Sequence, residues 1–127
     1  MKTAKSDSGC YQLLIKLEYD RRVKIGALGP VLFKAGYYIY TGRAKRGLES
    51  RVRRHLGETK KKHWHIDYLL EKCEIVDIFY YRGRLDECII NGERLKGLKK
   101  HRIIRKFGSS DCKCSGHLIW TDERPPK

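Results

Sequence analysis

The chain has 127 residues, room for one domain with a modest core, and its 40% apolar and 35% charged content belongs to a globular rather than a disordered protein. Lysine and arginine outnumber acidic residues 29 to 15, and the formal charge of +14 points to polyanions, nucleic acid ahead of lipid because no long amphipathic basic helix is present. No apolar run approaches the roughly 18 residues of a membrane span, and "MKTAKSDSG" is not a secretory signal, so a cytoplasmic protein without a membrane partner is expected.

Residues 1–8 read as a loose leader and 9–121 as one domain. "GCYQLLIKL" is predicted as a strand, "EYDRR" as a turn, and "VKIGAL" as a strand returning beside the first. "GPVLFKAG", bounded by Gly29-Pro30 and Gly36, reads as an irregular connection or short strand before the strand "YYIYTG". Residues 47–56 form a predicted helix with Leu48, Val52 and Leu56 along one stripe, followed by the basic loop "GETKKKH". "HWHIDYLLEK" reads as a second helix with Ile66, Leu69, Leu70 and Cys73 on one face. A buried strand "EIVDIFYY", a turn "RGR" and a third helix "LDECIINGERLKG", weakened by Gly92, come next. The turn-rich "GSSDCKCSG" leads to a last strand "HLIWT", and residues 122–127 form a tail. Strands and helices mix without strict alternation, so the expected class is α+β, a small antiparallel central sheet flanked by helices.

The first helix carries the sharpest signal. On a helical wheel Arg51 and His55 fall beside and within the apolar stripe, whereas Arg53 and Arg54 point toward solvent. An inward guanidinium needs an anion from the protein or a ligand, and its planar fork matches phosphate. His55, one turn on, is either a hydrogen-bonded core histidine or a partner in that chemistry. Tyr38 and Tyr40 share one face of the preceding strand, with Tyr40 two residues before Gly42, where a strand end opens onto a cleft.

Together these pieces resemble the GIY-YIG nuclease superfamily. "GCY" at Gly9–Tyr11 and "YTG" at Tyr40–Gly42 resemble the two halves of its signature, "LESRVRRHL" its arginine-bearing helix, and "LDECIINGERL" the helix whose glutamate binds metal. Arg51 follows Tyr40 by eleven residues, and the four pieces stand in the family's order. "HWHIDYLL" and "FGSSDCKCSGHL" are similar to a small branch long labelled only as a domain of unknown function, some members of which are fused to a DNA glycosylase of the endonuclease III type. The sequence departs from the superfamily in the 28 residues that separate Tyr11 from Tyr40 and in the missing isoleucines, whose places Cys10 and Thr41 would fill.

The resemblance implies a metal-dependent endonuclease, acting on DNA rather than RNA and associated with repair. It assigns catalytic roles to Tyr11 near the attacking water as a candidate general base, Tyr40 on the water or phosphate, Arg51 on the developing charge, and His55 in hydrogen bonding or proton transfer. Glu87 would hold one divalent ion, Mg²⁺ or Mn²⁺. On an ideal wheel Glu87 points away from Leu85 and Ile89, so its aim into a cleft comes from the resemblance, and an exposed helical glutamate is the alternative. Tyrosine ordinarily ionises near about 10, so Lys34, Lys45 or the metal would have to lower it for base catalysis. Arg43, Lys45, Arg46, Arg54, Lys60, Lys61 and Lys62 are the candidate nucleic-acid contacts.

Two constellations stand apart. His63 and Asp67, four residues apart, would form an accessory metal or proton-relay pair, or a structural one. Five cysteines, an odd number, argue against a disulfide framework. Cys112, Cys114 and His117, with Cys88 or Cys73, offer zinc donors, but Cys-x-Cys is an atypical zinc spacing and buried thiols are favoured. The rival readings of the whole are a non-catalytic nucleic-acid-binding module of the same fold and a zinc-stabilised interaction domain.

Overall fold

The computed structural model of the chain describes residues 8–57, 65–98, 100–104 and 117–125. Strand β1 (Gly9–Leu17) is nearly continuous in its apolar residues because both of its faces are covered. It pairs antiparallel with β4 (Gly36–Ala44) on one side and with β5 (Glu74–Arg82) on the other. β4 then pairs with β7 (Leu118–Thr121), and β7 with β6 (His101–Ile104), so the five-stranded antiparallel sheet runs β5-β1-β4-β7-β6.

Three helices complete an α+β fold: α1 (Leu48–Leu56), α2 (His65–Leu70) and α3 (Glu87–Lys96). Strand alternation splits the side chains of the sheet into two layers. On one face Tyr11, Leu13, Ile15, Leu17, Tyr38 and Tyr40 pack with Leu48 and Val52 of α1 and Ile66 and Leu69 of α2. The other face holds a smaller apolar cluster, Leu14, Ile39 and Ile119, with Leu95 of α3 packed against it. Among the described residues no helix is long and apolar enough to cross a membrane.

The strand expected to return beside β1 goes elsewhere. β2 (Arg21–Ile25) pairs with β3 (Gly29–Phe33), a separate two-stranded ribbon joined by the 3-10 turn Gly26–Leu28. The reason is geometric: β4 and β5 already occupy both edges of β1. The long spacer between Tyr11 and Tyr40 is therefore an inserted hairpin packed on α2. β6 had no expectation at all, since two isoleucines in "HRII" are too short a signal.

Face assignments also shift. Leu56 is 51% exposed, and His55 takes its place beside Leu48 and Val52 on the buried side of α1. On α3 it is Leu85, just before the helix, and Ile89 that face out, at 39% and 58% exposure, while Ile90 and Asn91 are buried. In the expected tail, Arg124 Nη2 lies 3.6 Å from Asp77 Oδ2, so the chain keeps a contact with β5 beyond residue 121.

Candidate active site

Tyr11 lies directly across the sheet from Gly42, and the pairing explains the glycine. A Cβ on residue 42 would stand 2.4 Å from both Cζ and the hydroxyl oxygen of Tyr11. Only a bare backbone lets the phenol lie flat over β4 and reach α1. There the hydroxyl meets His55 Nε2 at 2.7 Å. Tyr40, two residues earlier on β4, completes the cluster, with ring centroids 6.4 Å from Tyr11 and 6.0 Å from His55. All three side chains are buried.

Burial, first of all, pushes the Tyr11 phenol well above the ordinary tyrosine range, with the Tyr40 phenol adding to it. Tyr40 is pushed up by burial and then by the Glu87 charge. Each therefore holds its proton at neutral pH, and Tyr11 is no ready base by itself. Arg51 is the cation that pulls both phenols down. Lys34 has no such part, because its ammonium lies 5.1 Å over the Trp120 ring. Arg51 is half-buried, and its Nη1 donates to the Arg43 carbonyl at 2.7 Å, which ties the guanidinium to the end of β4.

Glu87 is the first residue of α3, where the helix dipole favours an anion. Its side chain is 15% exposed, which answers the alternative of an exposed helical glutamate. Asn91 and Arg94 share its face by their four- and seven-residue spacing, and this polar side of α3 turns to the sheet beside the apolar Ile90 and Leu95. Arg43 Nε stands 3.5 Å from Glu87 Oε1, and His117 Nδ1 stands 3.5 Å from Oε2. A carboxylate reached from solvent, with its neighbours at the long edge of contact, fits a hard divalent cation that brings waters of its own. Arg43, at 36% exposure, can swing outward to admit it.

Behind the tyrosine face a second polar set holds α3 to the sheet. Gln12 Nε2 donates to Thr41 Oγ1 at 3.1 Å, and Thr41 Oγ1 donates to Asn91 Oδ1 at 3.2 Å. Arg94 and the Tyr81 hydroxyl both donate to Gln12 Oε1, at 3.0–3.1 Å and 2.9 Å. Of these five residues the sequence singles out only Thr41, and that as a packing substitute for a signature isoleucine rather than as a hydrogen-bonding link. A lone glutamine inside an apolar strand, and the spacing of Glu87, Asn91 and Arg94, were the available signals.

Other candidates are placed differently. Arg54 is no open nucleic-acid contact: its two Nη atoms donate to the two carboxylate oxygens of Asp67, each at 2.9 Å. Asp67 is fully buried, so the fork of Arg54 neutralises it and clamps α1 to α2. Asp67 therefore orients an arginine; the expected partnership with His63 involves a residue outside the described ones. Lys45 and Arg46 are exposed in the turn between β4 and α1. Lys60, Lys61, Lys62, His63, Cys112 and Cys114 lie outside the described residues. Cys10 and Cys73 are free thiols, whereas Cys88 is disulfide-bonded, because an odd count forbids only the pairing of every cysteine. His117 faces Cys88 Sγ at 3.5 Å through Nε2.

No curated protein and no solved structure matches the chain. A family match does cover nearly all of it, residues 10–127, and by that match the chain belongs to the family described as domain of unknown function DUF123.

Proposed function

We propose that the protein is a divalent-metal-dependent endonuclease of the GIY-YIG type, cleaving DNA in preference to RNA, with a part in repair. The observation that carries this reading is the 2.7 Å contact between Tyr11 and His55, beside Tyr40 and within the field of both Arg51 and Glu87. A merely structural tyrosine does not require a histidine, an arginine and a carboxylate around it.

Phosphodiester hydrolysis needs a proton removed from water, charge neutralised on the phosphate and a stabilised leaving oxygen. In this reading Tyr11 passes its proton to His55 Nε2 as it accepts one from the attacking water, so the buried phenol never carries a full charge alone. Tyr40 orients the water or the phosphate. Arg51, tethered by the Arg43 carbonyl, supplies a fixed guanidinium for the developing charge. A divalent cation held by Glu87 would neutralise phosphate and leaving-group charge. Arg43, Lys45 and Arg46, grouped at the end of β4, serve the nucleic-acid backbone on either side.

The test is a cleavage panel of single-stranded, duplex, flapped, branched and abasic DNA, with RNA alongside, in Mg²⁺ and in Mn²⁺. Cleavage of a DNA substrate that Arg51→Ala and Glu87→Gln abolish is the expected result. Salt-sensitive binding with every substrate intact would replace the proposal with a non-catalytic nucleic-acid-binding module.

A further inference from the structure

Resting on the reading of Glu87 as a metal ligand, we propose that His117 is the second protein ligand, so that the site takes Mn²⁺ in preference to Mg²⁺ through one carboxylate oxygen and one imidazole nitrogen. The first observation is a distance. Glu87 Oε2 and His117 Nδ1 are 3.5 Å apart. Two donors each about 2.1 Å from one ion stand about 3.0–3.4 Å apart, so a small adjustment of Glu87 brings both onto a single cation.

The second observation concerns the other ring nitrogen. His117 Nε2 faces Cys88 Sγ at 3.5 Å, and Cys88 is disulfide-bonded, so that sulfur has no hydrogen to give. The contact is a hydrogen bond only if Nε2 carries the proton. That tautomer turns the Nδ1 lone pair toward the Glu87 carboxylate. Two electron-rich groups facing each other are stable with a cation between them, either a proton on Nδ1 or a metal ion. A ligating histidine whose remote N–H is held by a second group is the usual arrangement in metal centres.

Placement supports the metal. His117 stands immediately before β7, with its carbonyl accepting the Thr41 N–H at 3.0 Å, and its side chain is buried. The ring is thereby fixed beside the more open Glu87, leaving entry from the solvent side of the carboxylate. Among the described residues no cluster of three metal donors forms. An imidazole in the first shell favours later first-row divalent ions over Mg²⁺, which prefers an all-oxygen shell.

The experiment titrates Mn²⁺ into the full-length protein without nucleic acid, followed by electron paramagnetic resonance of the unbound ion, with Mg²⁺ as competitor. Wild type should bind Mn²⁺ at least about tenfold more tightly than Mg²⁺. His117→Ala should lower Mn²⁺ affinity about tenfold while shifting Mg²⁺ affinity less than about twofold. Spin-echo spectra of the Mn²⁺-loaded wild type should show nitrogen coupling that the variant loses. His117→Gln, closer in volume, is the second variant if alanine at this buried position prevents folding. Absence of nitrogen coupling in the wild type, or coupling that survives both variants, overturns the assignment and makes the pair an ordinary histidine–glutamate ion pair. Nitrogen-coupled Mn²⁺ in a protein that cuts nothing would keep the ligand and end the nuclease reading. Cleavage at a Mn²⁺ site without nitrogen coupling would do the reverse.

Discussion

The two faces of the central sheet use polar residues in opposite ways. On the α1 side Tyr11, Tyr40 and His55 stand inside an otherwise apolar core, with Tyr11 and His55 in a 2.7 Å contact and the Tyr40 ring beside both. On the α3 side Gln12, Thr41, Asn91, Tyr81 and Arg94 form a connected set in which Gln12 accepts two donors while Thr41 passes the chain on. In the proposed reading the first set is arranged around a substrate, whereas the second is arranged around itself. Satisfied polar networks of the second kind fix one packing of a helix, here the helix that carries Glu87. The difference separates residues that would act on a substrate from residues that aim them.

The largest effect should come from the acting side. Arg51→Ala removes the cation that pulls down both phenols and should lower cleavage about 10²–10³-fold, the loss seen when one preorganised charge stabiliser is removed. Stability should change less than activity, because Arg51 is only half-buried. Single-turnover rates beside thermal melts check this; equal losses in both would place Arg51 among the structural residues.

Asp67→Ala tests the opposite case, a buried charge pair that reaches the two phenols only through its field, which raises both. It breaks both 2.9 Å bonds from Arg54, a side chain 28% exposed, and should destabilise the protein by about 3 kcal/mol in urea unfolding. Any surviving folded fraction should cleave within a few-fold of the wild-type rate per molecule, a far smaller loss than that of Arg51→Ala. Gly42→Ala lies between the two. Its new methyl group meets the Tyr11 ring, costing about 1–3 kcal/mol and pushing the phenol off His55, so activity and stability should fall together.

How much of this was readable in advance follows the same division. Tyr40, Arg51 and His55 are visible as residues out of place, an arginine and a histidine on an apolar stripe and a tyrosine at a strand end near a glycine, whereas Tyr11 is singled out only by the resemblance of "GCY" to the signature. The class and the main strands followed from periodicity. The inward face of α3 is only partly legible from its apolar residues, because Asn91 is buried beside Ile90 while Ile89 is exposed. Hydropathy cannot reveal a helix docked through hydrogen bonds. For the same reason Arg54 looked solvent-facing, since its partner Asp67 is thirteen residues away on another helix. The hairpin β2–β3 was legible as strands but not in its pairing, which depends on the edges of β1 being taken.

On the aiming side, Thr41→Val keeps the shape and deletes the hydroxyl that links Gln12 to Asn91. Two buried groups lose a partner, and unfolding should be easier by about 1–2 kcal/mol. The pH profile of cleavage should keep its shape, because no titrating group of the Tyr11 cluster is touched. Metal affinity should weaken by a few-fold if this network does position Glu87; unchanged affinity would make the network structural only.

The smallest effect is a slope at alkaline pH, and it separates the faces by where it begins. Cys10 is buried on the α3 side, and burial first, then the charges of Glu87 and Asp86, pushes its thiol from 9.0 up to about 11. A raised folded value means that the native state holds this proton more tightly than the unfolded chain does. The stabilisation is therefore complete below about pH 9 and is lost as pH rises from there through about 11. Tyr11 and Tyr40, raised from 10.0 by burial, add the same sign of loss, but only from about pH 10 upward. Melting temperature should thus begin to fall near pH 9 and steepen above 10. Cys10→Ala should remove the earlier onset and leave the later one. Cys73 is raised from 9.0 to about 12 by burial and titrates over an overlapping range, so the measurement is made in a Cys73→Ala background. If the early slope persists without either thiol, the burial of Cys10 is not what sets it, and the contrast between the two faces loses its alkaline signature.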